Sequence, residues 1–459
     1  MMKDFGKLTF CGGVGTVTGA NFLLETNGKK ILIDCGLVQG DRVEAEENRK
    51  PWVYEPSSID ALFITHAHLD HVGRIPKLVK DGYAGPIYST PQTKALAEIV
   101  LNDAVGIMAM EAQQQGLEPI YNMTDVKNIF NQWHDIEYHK SFVFSPQISV
   151  ISKDAGHILG STMYEFSLTN QDGEIKKILF TGDLGNSPAP LLKDTETVGS
   201  VDYIVMESVY GDRNHENKEG RENKLIQTIN ETVLRGGTLV IPAFSIDRTQ
   251  VLLYELNNFV EKGKIKNIPV FVDSPMAIDA TSIYSANTHL FNEKIQKQIN
   301  SGDNIFKFPH LKFTVTSSES RDIENVPGPK IILAGSGMSI GGRVIGHERK
   351  YLPDPKNTIL FVGYQSVGSL GRQLADGAKK VKIYRDIIKV KARIEILYGY
   401  SAHKDSDGLI EFVGTAENLK KVFVVMGEPK SAMFLAQRIN DEFSVKAVAP
   451  ELGDSVVLE

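Results

Sequence analysis

Long apolar runs are missing from this sequence. No segment approaches about 18 continuous apolar residues, which excludes a membrane-spanning helix of the ordinary kind. Cysteine is scarce: Cys11 and Cys35 are the only two. They provide no disulfide framework, which suits a reducing, cytoplasmic setting. The N-terminal stretch MMKDFGKLTFCGG lacks the apolar core of a secretory signal. There is no basic excess either. At a formal net charge of −7, any contact with nucleic acid has to come from a local groove and not from a generally basic surface. Repeats and low-complexity tracts are absent. What remains is a 459-residue chain with 42% apolar content, enough for large cores in two or three domains.

What is present follows one pattern: a short apolar run, then abruptly a polar residue able to do chemistry. ILI precedes Asp34, and ALFI leads into THAHLDH, residues 65–71. ISVIS runs toward His157 through KDAG, KILFTG ends at Asp183, and YIVM ends at Glu207. IEILYGYSA ends at His403, and KVFVV stops at Met426. Runs of this length and β-branched content predict buried strands, with the polar residues on loops at one sheet edge. Such clustering is the usual arrangement of a site on a rigid scaffold. A helix is expected around residues 91–108.

From about residue 210 to 382 the style changes. A charged helix carries Leu225, Ile226, Ile229 and Val233 on one face and ends at Gly236 and Gly237. Then come TLVIPAF, a helix over residues 250–260, PVFVDSP, IILAGSG and TILFVGYQ. This alternation predicts a doubly wound parallel α/β sheet of its own. Lying between Glu207 and His403, it reads as an inserted domain: residues 1–208 and 383–459 form one domain and 209–382 the other. The stretch 317–330 (SSESRDIENVPGPK) reads as a surface loop.

His66, His68, Asp70 and His71 concentrate metal-capable side chains beyond what core packing explains. In an extended loop His66 and His68 point the same way, whereas Asp70 and His71 reach that point poorly. A natural solution is two neighbouring ions, one at each pair. Two metals ~3.5–4 Å apart form a hydrolytic device in which a bridging hydroxide attacks and both ions stabilise developing charge. Imidazole with carboxylate favours zinc, with manganese or iron as alternatives.

The cluster, following a strand, resembles the metallo-β-lactamase superfamily signature. On that resemblance Asp34 of LIDCG supports the metal shell from behind, His157 of AGHILGS completes the first ion's histidines, and Asp183 of FTGDLG bridges. ESVYGDRNH (207–215), PAFSIDRTQ (242–250), VDSPMA (272–277), GSGMSIGGR (335–343), FVGYQSVGSLGRQL (361–374) and YSAHKD (400–405) narrow it to the β-CASP ribonucleases, over nearly the whole chain. The resemblance implies an αββα metallo-β-lactamase sandwich carrying an inserted β-CASP domain, with the active site in the cleft between them. It also implies a ribonuclease hydrolysing RNA phosphodiesters, with metal-bound hydroxide as nucleophile and His403 as general acid oriented by Glu207. The catalytic set is then Asp70, Asp183, Glu207 and His403. A homodimer is a further implication. For the inserted domain, small and basic residues at strand ends suggest phosphate contacts at Arg248, Ser274, Ser336, Gly337, Arg343 and His347.

One position departs from the family. Where a VHGE-like motif is expected, the chain reads VVMGE, with Met426 in the histidine's place, and no histidine follows His403. A neutral thioether suits zinc or manganese poorly. The second ion is then weaker, or the protein works with one ion, or it is a catalytically weak or inactive RNA-binding relative. The expectation is an active hydrolase with one firmly bound zinc. A small-molecule hydrolase is a third possibility, disfavoured by the inserted domain.

Overall fold

The computed structural model describes residues 5–40, 46–215, 220–366 and 368–459. The chain forms two compact units: Met1–Asn214 with His403–Glu459, and His215–Ala402.

The first unit is built on two seven-stranded sheets. One runs in the order Ser455–Leu458, Gly6–Gly12, Asn21–Thr26, Lys29–Ile33, Ala61–Phe63, Ile87–Ser89, Trp133–Asp135. The other runs Lys446–Val448, Lys421–Val424, Tyr203–Met206, Ile175–Phe180, Thr162–Thr169, Ile148–Asp154, Phe142–Ser145. Their inner faces share an apolar core in which Phe10, Leu24 and Phe63 belong to the first sheet and Tyr164, Phe166 and Phe423 to the second. Phe63 sits edge-on to Tyr164 and Phe166, with centroids 5.4 and 5.1 Å away, the offset geometry aromatic pairs prefer. Helices Ser406–Gly414 and Pro429–Phe443 cover the second sheet's outer face, placing Leu409, Phe412, Leu435 and Ile439 on Ile204, Val422 and Val424. Helix Pro91–Gln115 lies beside Trp133–Asp135 on the first sheet. The layering is helix, sheet, sheet, helix, as the sandwich expectation had it.

The second unit carries a six-stranded, wholly parallel sheet. Its order is Leu311–Phe313, Val270–Asp273, Lys330–Ala334, Thr238–Pro242, Thr358–Phe361, Arg393–Ile396. Its central strands are buried along their whole length, as a sheet covered on both faces requires. Val240, Ile332 and Ile359 pack against Val344 and Leu374 on one face.

Two expectations are corrected. The return to the first unit falls at His403, not at residue 383, because Arg393–Ile396 pairs in parallel with Thr358–Phe361 and so belongs to the inserted sheet. At the other end, residues 209–214 stay with the first unit. Nor is 317–330 a plain loop. Thr316 and Glu319 form a capping box that starts a helix over Ser317–Asp322. No helix among the described residues is long and apolar enough to cross a membrane.

Candidate metal centre

Six strand ends of the first unit converge on one site. The strand Ala61–Phe63 ends before Thr65, and the cluster that follows is not wholly extended. His68 is the extended residue that starts a short helix, Leu69–Val72. The ring of His71 stays close to that of His66, with centroids 4.0 Å apart, but its Nε2 faces Asp183 Oδ1 and Asp70 Oδ2.

His66 Nε2 lies 3.1 Å from His68 Nδ1, and His157 Nε2 lies 3.3 Å from that same atom. Asp183 Oδ2 is 3.3 Å from His66 Nε2 and 3.5 Å from His157 Nε2. Four ligands ~2.0–2.1 Å from one ion at tetrahedral angles lie ~3.3–3.4 Å apart. These donor atoms therefore stand at ligand spacing. Burial, with the neighbouring histidines, holds His68 and His157 well below the ordinary histidine range. They are neutral rings, the form that binds metal.

On the other side of Asp183, Oδ1 lies 3.4 Å from His71 Nε2, which is 3.9 Å from Asp70 Oδ2. His71 Nε2 and Asp183 Oδ1 are buried without a hydrogen-bond partner. Buried polar atoms are normally satisfied; these two face each other, and against burial Asp183 and Asp34 hold the His71 ring well above the ordinary histidine range. Burial pushes Asp70 upward. It would do the same to Asp183, but His71 and His66 outweigh it and hold that carboxyl well below its ordinary value.

Asp34, at a left-handed φ of 58° beyond strand Lys29–Ile33, accepts from Thr65 N–H and Thr65 Oγ1, both at 2.8 Å, and pairs with His71 Nδ1 at 2.7 Å. A carboxylate behind a ligating histidine fixes its tautomer and raises its basicity. Thr65 was missed in the sequence. Its Oγ1 also lies 3.1 Å from His66 Nδ1, and the only signal was its place directly before the cluster. Gly182 is required beside it, because a Cβ there would sit 2.6 Å from the Thr65 side chain.

His403 Nδ1 lies 3.1 Å from each carboxylate oxygen of Glu207, whose Oε1 also accepts the Leu184 N–H at 2.6 Å. Burial disfavours charge on this ring, but Glu207, then Asp183 and Asp70, more than offset it and bring His403 up to about 9. Its ring is 4.6 Å from that of His157, so the His403–Glu207 pair and the donor set are neighbours.

Met426 follows strand Lys421–Val424 with a left-handed φ of 47°. Its N–H donates to Gly13 O at 2.6 Å, and its side chain is 2% exposed within the core between the sheets. With Asp34, His71 and Glu207 it lines a small cavity. The thioether belongs to the apolar packing behind the donors.

The residues expected to touch phosphate all lie in the second unit. Ser274 caps helix Pro275–Ala286 and is 3.1 Å from Ser245 Oγ. Ser336 Oγ accepts from Ile340 N–H at 3.1 Å, and Gly337 lies against Phe244. Arg248 donates to Val362 O. Arg343 and His347 are held by buried Asp273, at 2.8 and 2.7 Å, and Arg343 also donates to Thr314 O and Val315 O. The structure brings the set to the carboxyl ends of parallel strands but engages Arg343 and His347 within the unit.

Three families match in chain order: the metallo-β-lactamase superfamily domain over residues 23–203, the Beta-Casp domain over 249–374, and the Zn-dependent metallo-hydrolase RNA specificity domain over 387–450. Ribonuclease TTHA0252 of Thermus thermophilus is 33% identical over 426 residues, covering 93% of this chain and 94% of that protein. Transcription termination factor FttA of Pyrococcus horikoshii is 31% identical over 470 residues, covering 98% of this chain and 71% of its own length. A crystal structure of a protein of unknown function from Enterococcus faecalis superposes with a TM-score of 0.57 at 14% identity, covering 99% and 100% of the two chains. It shows the same fold.

Proposed function

We propose, from the premise that this chain belongs to the β-CASP branch of the metallo-β-lactamase superfamily, that it is a metal-dependent ribonuclease acting in the cytoplasm. The observation that carries this reading is four donor atoms joined by contacts of 3.1 to 3.5 Å beside a histidine–glutamate pair. The names of its relatives, a ribonuclease and a termination factor, support RNA as the substrate.

His66, His68, His157 and Asp183 would hold one ion firmly, and zinc suits that donor set. Asp70, His71 and Asp183 would hold a second, zinc or manganese, with one protein ligand fewer. When bound, such ions supply Lewis acidity that activates water and offsets charge at phosphate.

The chain's own residues do the rest. Asp34 orients His71 and keeps its Nε2 turned toward Asp183. Glu207 holds His403 by Nδ1, so Nε2, on the opposite edge of the ring, carries the proton to the departing oxygen. A general acid contributes ~10²–10⁴-fold. Cleavage of labelled RNA should vanish with chelator and fall by about that factor in His403→Ala; undiminished cleavage in that variant ends the acid assignment.

The pH dependence follows from the same pair. A ring held up at about 9 is protonated below that pH and loses its proton as pH rises through it. Removing the carboxylate in Glu207→Gln should move the basic limb of the kcat/KM profile downward, costing more activity at pH 8 than at pH 6. A basic limb that stays in place would refute the pairing.

Burial of Met426 in the apolar core favours one alternative, an RNA-binding relative with little or no turnover. It predicts RNA affinity without cleavage under zinc, manganese or any other divalent ion.

A further inference from the structure

In a chain of net charge −7, six cations and a single carboxylate stand between Lys379 and Lys391. They build a two-stranded antiparallel ribbon, Lys380–Ile383 with Asp386–Lys389, in the second unit. A ribbon of two strands is marginal alone. Here Val381 and Ile383 are buried in that unit's core, with Ile388 and Val390 packed beside them, so the inner face is explained by folding.

The outer face is not explained that way. Lys380 stands directly opposite Lys389, and Lys382 opposite Ile387. Like charges directly opposite one another destabilise a ladder. The one carboxylate, Asp386, is held by Arg349, which lies outside the ribbon. Neighbouring Arg393 and Lys350 pair instead with Glu231 and Glu324. No ion pair neutralises the six cations among the described residues.

At the turn, Tyr384 is 66% exposed with a left-handed φ of 55°. Tight hairpin turns give that conformation to glycine or asparagine. Ile387, on the lysine face, is 65% exposed. Edge lysines alone would guard against strand pairing, but that role is weakened, not served, by an exposed aromatic and an exposed isoleucine.

We propose that this ribbon is a binding surface for single-stranded RNA, with Lys380, Lys382 and Lys389 on phosphates and Tyr384 stacked on a base. Positive charge that tracks a backbone beside an exposed ring is what sequence-tolerant single-strand binding uses. The inference rests on the ribonuclease reading only for the choice of polyanion, and it requires no metal.

The test is fluorescence anisotropy of a labelled oligouridylate with the full chain in chelator, at several salt concentrations. The combined variant Lys380→Ala, Lys382→Ala, Lys389→Ala should bind about tenfold or more weakly, its log–log salt slope shallower by about 2, since each single-strand phosphate contact contributes ~0.7. Wild-type affinity and slope in that variant would overturn the proposal. Tyr384→Gly relieves the backbone, so it should keep the thermal midpoint yet bind about tenfold more weakly, as lost stacking predicts; unchanged binding removes the tyrosine from the surface. If polyglutamate displaces the oligonucleotide as well as unlabelled RNA does, the surface docks acidic protein and the RNA assignment fails. RNA cleavage by wild type with wild-type binding in the triple variant sinks this inference alone. Ribbon-dependent binding without cleavage under any divalent metal sinks the ribonuclease reading alone.

Discussion

The two donor sets flanking Asp183 share one carboxylate and differ in everything else. Toward Oδ2 stand three imidazoles from two loops, buried His66 and His157 and half-buried His68, joined with it by contacts of 3.1 to 3.5 Å. Toward Oδ1 stand His71 and Asp70 from a single helical turn, at looser spacing. Behind them a methionine fills the core. The first set is closed by side chains that the sandwich holds from several strand ends. The second depends on one short helix and the carboxylate of Asp34 that braces it. Shared geometry does not imply shared affinity: the closed set should hold its ion and the open one should exchange it.

Removing the shared carboxylate tests both sets together and has the largest expected effect. Asp183→Ala deletes a corner of each donor set and the negative charge that offsets the neighbouring rings. Metal content should fall to less than one ion per chain, and RNA cleavage by about three orders of magnitude or more, the scale on which charge stabilisation in such sites operates. Elemental analysis after gel filtration checks the first, and single-turnover cleavage the second. Two retained ions would show that Asp183 is not shared.

A smaller effect is expected from Asp34→Ala, and only on one side. The carboxylate touches His71 and Thr65 but none of the three histidines of the first set. Loss of such a brace typically costs 10–100-fold in metal affinity. Competition with a chromophoric chelator should therefore show one weakened ion and one unaltered ion. Equal weakening of both would mean that Asp34 acts through the loop as a whole.

The same asymmetry explains what could be read from the sequence. The strand ends were legible because buried strands are apolar without interruption, so Asp34, His157, Asp183 and Glu207 stood out as breaks in ILI, ISVIS, KILF and YIVM. The helix at Leu69–Val72 was not, since four residues carry no period and the cluster's histidines have no helical preference. Thr65 was overlooked because a hydroxyl that braces others binds nothing itself. The edge strand Arg393–Ile396 carries an arginine and a glutamate, with every residue at least partly exposed. It therefore read as the approach to His403 and pulled the domain boundary back to residue 383. The basic ribbon was hidden by an acidic total.

The smallest expected effect is a gain. Met426→His would place an imidazole in the cavity already lined by His71, Asp34 and Glu207. Without metal, a polar ring in that apolar core should destabilise the fold by ~1–3 kcal/mol. With metal, the ring becomes a ligand for the open set, and binding to the folded state returns the stability in proportion to affinity. The thermal midpoint of the variant should thus sit below wild type in chelator and rise more steeply with added zinc. The second ion's affinity should increase by about tenfold, while the first is unchanged. A variant whose midpoint responds to zinc no more than wild type would show that the side chain at 426 points into the core in either form. The openness of the second set would then lie in the short helix and not in the missing imidazole.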